Sequence, residues 1–124
     1  MLIACEPGWI EIALPANAVV ATVRFTVRVG TPATAQTLNT MMQQVVKAGT
    51  GTAAALVGIQ VAGKTGTAQK GSSNVAWFIA FAPAVGAKVA VAVTIENTQF
   101  TGGDVAAPLA AQVIKAALAQ PSLP

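Results

Sequence analysis

Lys64-Thr65-Gly66-Thr67 is the one place in this 124-residue chain where groups able to do chemistry stand together, and it closes the alternating run Val57-Gly58-Ile59-Gln60-Val61-Ala62-Gly63. Gly58-Ile59-Gln60-Val61-Ala62-Gly63-Lys64-Thr65 satisfies the phosphate-loop pattern G-x-x-x-x-G-K-[ST] in every letter, and on those letters alone the chain is a P-loop nucleotide-binding protein. A phosphate loop, however, follows a buried strand and opens a helix, because its backbone N–H groups and the helix N-terminus hold the anion together. Ile59 to Ala62 alternate as a strand does, and Gly66, Gly71, Ser72, Ser73 and Asn74 follow Thr65, where no helix can start and run. Thr50 to Val57 is too small and glycine-rich for the strand required ahead of Gly58, and only Ile95-Glu96 offers an acidic residue for the magnesium side. The phosphate loop is the weaker reading. The stronger one puts Lys64-Thr65-Gly66 at the end of a strand that lines a cleft.

The elements that must position this segment follow from spacing. Gly30-Thr31-Pro32 marks a helix start, with Thr31 as cap and Pro32 where its missing N–H is harmless. Leu38, Met41, Met42, Val45 and Val46 recur at helical spacing, the methionines as core filler, and Gly49 stops the helix. Thr50 to Ala55 reads as a flexible connection. Three strand-like runs follow, 57–66, 75–82 and 88–96, the last two joined by Pro83-Ala84-Val85-Gly86-Ala87 at antiparallel-hairpin length. Both of these runs are apolar at almost every position, which predicts a sheet covered on both faces. Asp104 caps a final helix, Pro108 fits its first turn, and Leu109, Val113, Ile114 and Leu118 make its stripe. The expected fold is α+β: a three-stranded antiparallel sheet flanked by an N-terminal-side helix and a C-terminal helix. Residues 18–29, rich in valine and threonine, read as a further strand within a stretch 1–30 that holds no chemical motif, and residues 121–124 read as a tail.

The Lys-Thr-Gly triplet belongs to the signature set of penicillin-binding proteins and related β-lactamases. The ordered series Gly58-Ile-Gln-Val-Ala-Gly-Lys-Thr-Gly-Thr-Ala-Gln69, Ala76-Trp-Phe-Ile-Ala-Phe-Ala-Pro83 and Val89-Ala-Val-Ala-Val-Thr-Ile-Glu-Asn97 resembles the C-terminal part of a penicillin-binding transpeptidase domain. The likeness is to the high-molecular-mass, single-activity class B members of actinobacteria, and it covers residues 31–120. The resemblance implies acyl transfer from a D-alanyl-D-alanine stem peptide of peptidoglycan, or from a β-lactam that imitates it. It implies that the Thr65 and Thr67 hydroxyls bind the substrate's terminal carboxylate and that the Thr67 N–H forms half of an oxyanion hole. Lys64 would supply positive potential and help the proton traffic around the nucleophile. Gly66 would let substrate backbone approach closely. Neither metal nor cofactor is expected.

The family pattern also needs a serine three residues before a lysine, and a serine-containing second motif. The only serines are Ser72, Ser73 and Ser122, and none has a lysine three residues on. Ser72-Ser73-Asn74 has the letters S-x-N but follows the Lys-Thr-Gly segment, so it reads as part of a loop, and Thr67-Ala68-Gln69-Lys70 has the S-x-x-K spacing with threonine, by chance. A fragment inactive alone is expected, with the stem peptide or β-lactam held through a missing N-terminal half and with a complementing chain left open. A truncated or frame-shifted product of a longer gene, or a non-functional structural remnant, fits the same departures.

Composition excludes other classes. Only 9% of residues are charged, which suits part of a larger body with apolar faces to pack on something. Arg24, Arg28, Lys47, Lys64, Lys70, Lys88 and Lys115 are scattered, so no nucleic-acid stripe is present. Cys5 is alone and histidine is absent, which rules out an internal disulfide and a zinc site. Met1-Leu2-Ile3-Ala4-Cys5 faintly resembles a lipid-attachment site without an export lead. Val75 to Ala87 is too short for a membrane span, which needs about 20 residues. Trp77, Phe78 and Phe81 read as core and cleft wall, Asn97-Thr98-Gln99 as a turn, and Gly102-Gly103 as a swing into the last helix. The resemblance implies a parent protein at the extracytoplasmic face of the cytoplasmic membrane.

Overall fold

The computed structural model describes residues 2–5, 8–11 and 30–120, in two units, Met1–Thr31 and Pro32–Pro124. In the first, β1 (Leu2–Cys5) and β2 (Gly8–Glu11) pair antiparallel, Ile3 opposite Ile10. The strand expected at 18–29 and the tail at 121–124 lie outside the described residues.

The second unit opens with α1 (Pro32–Ala48), which starts at its proline and ends where Gly49 and Gly51 both donate their N–H to the Val45 carbonyl, at 3.1 and 3.0 Å. Val46 is buried and Met42 and Val45 are half-buried, but Leu38 and Met41 are 50% and 54% exposed, so the expected stripe holds only in part and Met41 is not core filler. The helix reaches the core only through its last turns. The segment expected to be flexible instead forms a turn of 3₁₀ helix (Thr52–Ala54), in which Ala54 is fully buried and its N–H meets the Gly51 carbonyl at 2.9 Å. Small side chains let that turn sink into the core.

Three strands make one antiparallel sheet in the order β3-β4-β5: β3 (Ala62–Lys70), β4 (Ser73–Ala82) and β5 (Val89–Thr98). β3 begins five residues later than the alternation at Val57 suggests, because Gly58 at φ +77° turns the chain and Leu56 bridges Ile59. It also runs four residues past Gly66. Gly71-Ser72 then joins β3 to β4 as a two-residue turn, with Gly71 at φ +63° in the position where such turns need a positive φ. Ser73 and Asn74 therefore open β4 rather than sit in a loop. The β4–β5 hairpin forms as expected, closing at Ala82 opposite Val89.

Among the described residues the sheet is covered on one face, not two. Ala76, Phe78, Ala80 and Ala82 are buried, whereas Trp77 and Ile79 point the other way and are 42% and 47% exposed. Of the three aromatics read as core and cleft wall, Phe78 alone is fully buried. Its ring sits with Val46, Ala54, Val61 and Ile114, under α2 (Ala107–Ala119). The buried stripe of α2 is Ala107, Ala110, Ala111 and Ile114, while Leu109 and Val113, expected to face inward, are 43% and 49% exposed. Alanines admit a closer approach of helix to sheet, and periodicity weighted by side-chain size selects the neighbouring stripe instead.

Replacing Phe78 by alanine is expected to cost about 3–5 kcal/mol, since it empties the centre of a packed core. The same change at Val85, 77% exposed, should stay within about 0.5 kcal/mol. Urea unfolding midpoints of the two variants against the parent chain check this.

Candidate functional site

Lys64, Thr65, Gly66 and Thr67 lie in the middle of β3, an edge strand, and the hairpin register decides where each group points. In a two-residue hairpin the flanking pair, here Lys70 and Ser73, exchanges both main-chain hydrogen bonds, and bonded and non-bonded pairs then alternate. The N–H and C=O of Ala62, Lys64, Gly66 and Ala68 thus turn toward β4. Those of Gly63, Thr65, Thr67 and Gln69 turn outward to the open edge. Side chains alternate between faces, and cross-strand partners share one. Thr65 (opposite Phe78) and Thr67 (opposite Ala76) stand on the face that carries the core, and Lys64 (opposite Ile79) and Gly66 (opposite Trp77) on the other.

The polar groups of this edge are held by three segments. The exposed Lys64 ammonium turns back and donates to the Thr65 carbonyl, 2.6 Å away, which keeps the cation beside the open edge. The Thr65 hydroxyl lies 2.6 Å from the Thr50 hydroxyl, in the turn after α1. The Gly102 N–H donates to the Thr67 hydroxyl oxygen at 3.2 Å. Gly102 and Gly103 can come this close because neither has a side chain: a Cβ on Gly102 would lie 2.1 Å from the Trp77 carbonyl oxygen and 2.5 Å from that of Gly66, and one on Gly103 would lie 2.3 Å from the Thr50 carbonyl oxygen. The double glycine is thus a close backbone crossing over β3 and β4 more than a swing into the helix.

Just ahead of that crossing, Asp104 accepts from the Thr101 N–H at 2.9 Å and from the Thr101 hydroxyl at 2.6 Å. Thr101, rather than Asp104, is the N-cap of the wide helical turn Gly102–Ala106 that leads into α2, and Asp104 is the third residue of its capping box. These two hydrogen bonds from Thr101, the hydroxyl's first, hold the Asp104 carboxyl below the usual carboxylate range. Sequence reading missed Thr50 and Thr101 as part of this edge. Their nearest signal is the glycines flanking Thr50 and the threonine three residues before Asp104.

The phosphate-loop geometry is absent. Lys64 and Thr65 sit inside a strand that continues to Lys70 and a hairpin follows, while Glu96 stands exposed on β5 with β4 between it and Lys64. The other polar residues singled out in the sequence are stitches. Ser73 donates to the Lys70 carbonyl at 3.2 Å, Gln99 to the Ser72 carbonyl at 3.1 Å, and Asn97 takes φ +54° at the end of β5. The Gln99 bond ties the end of β5 to the β3–β4 turn, and the Ser73 bond lies within that turn.

Comparison with known proteins places this arrangement. The sequence model of the penicillin binding protein transpeptidase domain matches residues 22–115. The peptidoglycan D,D-transpeptidase PbpA of Mycobacterium tuberculosis is 51% identical across 52% of this chain and 15% of its own length. The structure of penicillin-binding protein A from M. tuberculosis as a ceftriaxone acyl-enzyme complex superposes with a TM-score of 0.71 at 42% identity, over 80% of this chain and 24% of that one. A D,D-transpeptidase domain from Eggerthella lenta gives 0.60 at 46% identity, over 64% and 18%. The chain therefore spans 15% of the length of the curated relative it matches.

Gly102→Ala should destabilise by about 1–3 kcal/mol because two carbonyl oxygens must move, and Gly66→Ala by less, because its Cβ would meet the Trp77 Cβ at 3.3 Å. Urea midpoints decide the order. For Asp104 the folded pKa is the lower one, so its contribution is present above the unfolded value, about 3.9, and is lost as pH falls through the folded value. Thermal midpoints between pH 7 and pH 2 should show that acid loss in the parent chain and a smaller one in Asp104→Asn.

Proposed function

Since this chain belongs to the penicillin-binding protein transpeptidase domain family, class B-like and similar to actinobacterial PbpA, we propose that its β3 edge is the substrate-positioning strand of a peptidoglycan D,D-transpeptidase. The observation that carries the reading is the geometry of one strand. Its outward-facing N–H and C=O groups, two threonine hydroxyls and a lysine ammonium stand along a single open edge.

An extended peptide, or a β-lactam shaped like one, adds to such an edge as a further strand through main-chain hydrogen bonds. A stem peptide ending in D-alanyl-D-alanine has a carboxylate at its end, and Lys64 supplies positive potential for it. The Thr65 and Thr67 hydroxyls donate to that carboxylate. The outward Thr67 N–H points at the carbonyl oxygen that becomes an oxyanion when the acyl group is attacked, a role worth about 2.7–4 kcal/mol for one preorganised donor. Gly66, bare on the opposite face above Trp77, keeps the strand thin where substrate lies along it.

The attacking group is outside these residues. No serine here is followed three residues later by a lysine, so the nucleophile and its base come from the longer polypeptide of which relatives are examples, or from a second chain. This chain orients the acyl donor, and the complete transpeptidase would work outside the cytoplasmic membrane. Among the described residues no helix is long and apolar enough to cross a membrane.

Two measurements test the proposal. Intact-mass spectra after incubation with benzylpenicillin should show no adduct, and one stable acyl group per chain would refute the missing nucleophile. In an NMR titration, acetyl-D-alanyl-D-alanine should shift the amides of Gly63 to Gln69 in the parent chain and not in Lys64→Ala. Unmoved amides at millimolar peptide would remove the positioning role.

A further inference from the structure

Thr65 and Thr67 can each act as a hydrogen-bond donor to an anion only if the hydroxyl hydrogen is free when the anion arrives. A hydroxyl has one hydrogen and two lone pairs, so the way to keep the hydrogen free and directed outward is to occupy the oxygen from behind with another donor. At Thr67 this is settled by chemistry: the partner is the Gly102 N–H, which has no lone pair to offer, so the Thr67 oxygen accepts and its hydrogen is left over. At Thr65 the partner is the Thr50 hydroxyl, 2.6 Å away, which could stand in either direction.

We propose that Thr50 is a positioning residue of the β3 edge: its hydroxyl donates to Thr65, which leaves the Thr65 hydrogen free for the substrate carboxylate. The inference rests on the reading of β3 as the substrate strand and deepens it. Thr50 and Gly102 act as a pair of backing donors from two different segments, one after α1 and one before α2. Both lie close to β3 for a stated reason. Gly103 packs against the Thr50 carbonyl, and a Cβ there would reach the Thr65 methyl at 3.7 Å, so Thr50, Gly103 and Thr65 form one contact set. The two threonines become donors of the same polarity, which an anion requires and a neutral amide does not. A chain of donors, Thr101 to Asp104 on one side and Gly102 to Thr67 on the other, fixes the second backing group in the same way.

Thr50→Val removes the donor and keeps the shape, and Thr50→Ser restores it. The first readout is the Thr65 χ1 rotamer, from three-bond couplings of its methyl carbon in the ligand-free chain. A single rotamer is expected in the parent and in Thr50→Ser, and averaging in Thr50→Val; a Thr65 that stays fixed in Thr50→Val overturns the inference. The second readout is affinity for acetyl-D-alanyl-D-alanine and for its C-terminal amide. Thr50→Val should weaken the carboxylate peptide about tenfold, the size of one hydrogen bond to a charged group, with Thr50→Ser near the parent and the amide peptide barely affected. Equal affinity of parent and Thr50→Val, with binding still lost in Lys64→Ala, overturns the role of Thr50 alone. A parent chain that binds neither peptide overturns the substrate-strand reading and the role of Thr50 with it.

Discussion

The Phe78 ring fills space that two glycines leave open, and the arrangement of the edge depends on it. A Cβ on Gly63 would stand 2.5 Å from its Cζ, and one on Gly51 3.0 Å from its Cε2. One fully buried ring thus fixes the start of β3 and the turn after α1 against the same point of β4. Two residues beyond Gly63 is Thr65, directly opposite Phe78, and one residue before Gly51 is Thr50. The ring thus brings together the two segments that carry the hydroxyl pair, 2.6 Å apart.

The open edge is useful because its main-chain groups and its side chains answer different demands. Parity set by the Gly71-Ser72 turn sends the Thr65 and Thr67 amides outward, where an extended chain can pair with them. The same parity sends their side chains to the face where Thr50 and Gly102 reach them. Shifting β3 by one residue would exchange both sets at once, presenting the Lys64 and Gly66 amides and burying a lysine on the core face. A two-residue turn, with glycine at its positive-φ position, is therefore part of the site although it lies well away from the lysine.

What the sequence made legible was the order and type of the elements and the segment that matters. The helix opening at Pro32 and ending before Gly49, the β4–β5 hairpin and the strand that carries Lys64 to Thr67 follow from local rules of capping, alternation and motif, although that segment lies in the middle of β3 and not at its end. The parts that were not legible share a cause: they depend on small residues and on contacts distant in sequence. The alanine stripe of α2 carries little hydrophobic signal, so Leu109 and Val113 drew the prediction although they face outward. Uniformly apolar strands suggested two covered faces, yet Trp77 and Ile79 stay open, because hydrophobicity reports a tendency to be buried and not the presence of a partner. Thr50 and Gly102 are 15 and 35 residues from their partners, and no periodicity marks such a pairing.

The central claim is that the outward amides of β3 receive an extended substrate, and amide hydrogen exchange measured residue by residue tests it directly. With acetyl-D-alanyl-D-alanine in excess, protection should rise at Thr65 and Thr67, the two outward residues a dipeptide can span, and stay unchanged at Lys64, Gly66 and Ala68. Protection that rises equally at both sets, or at neither, would contradict the account.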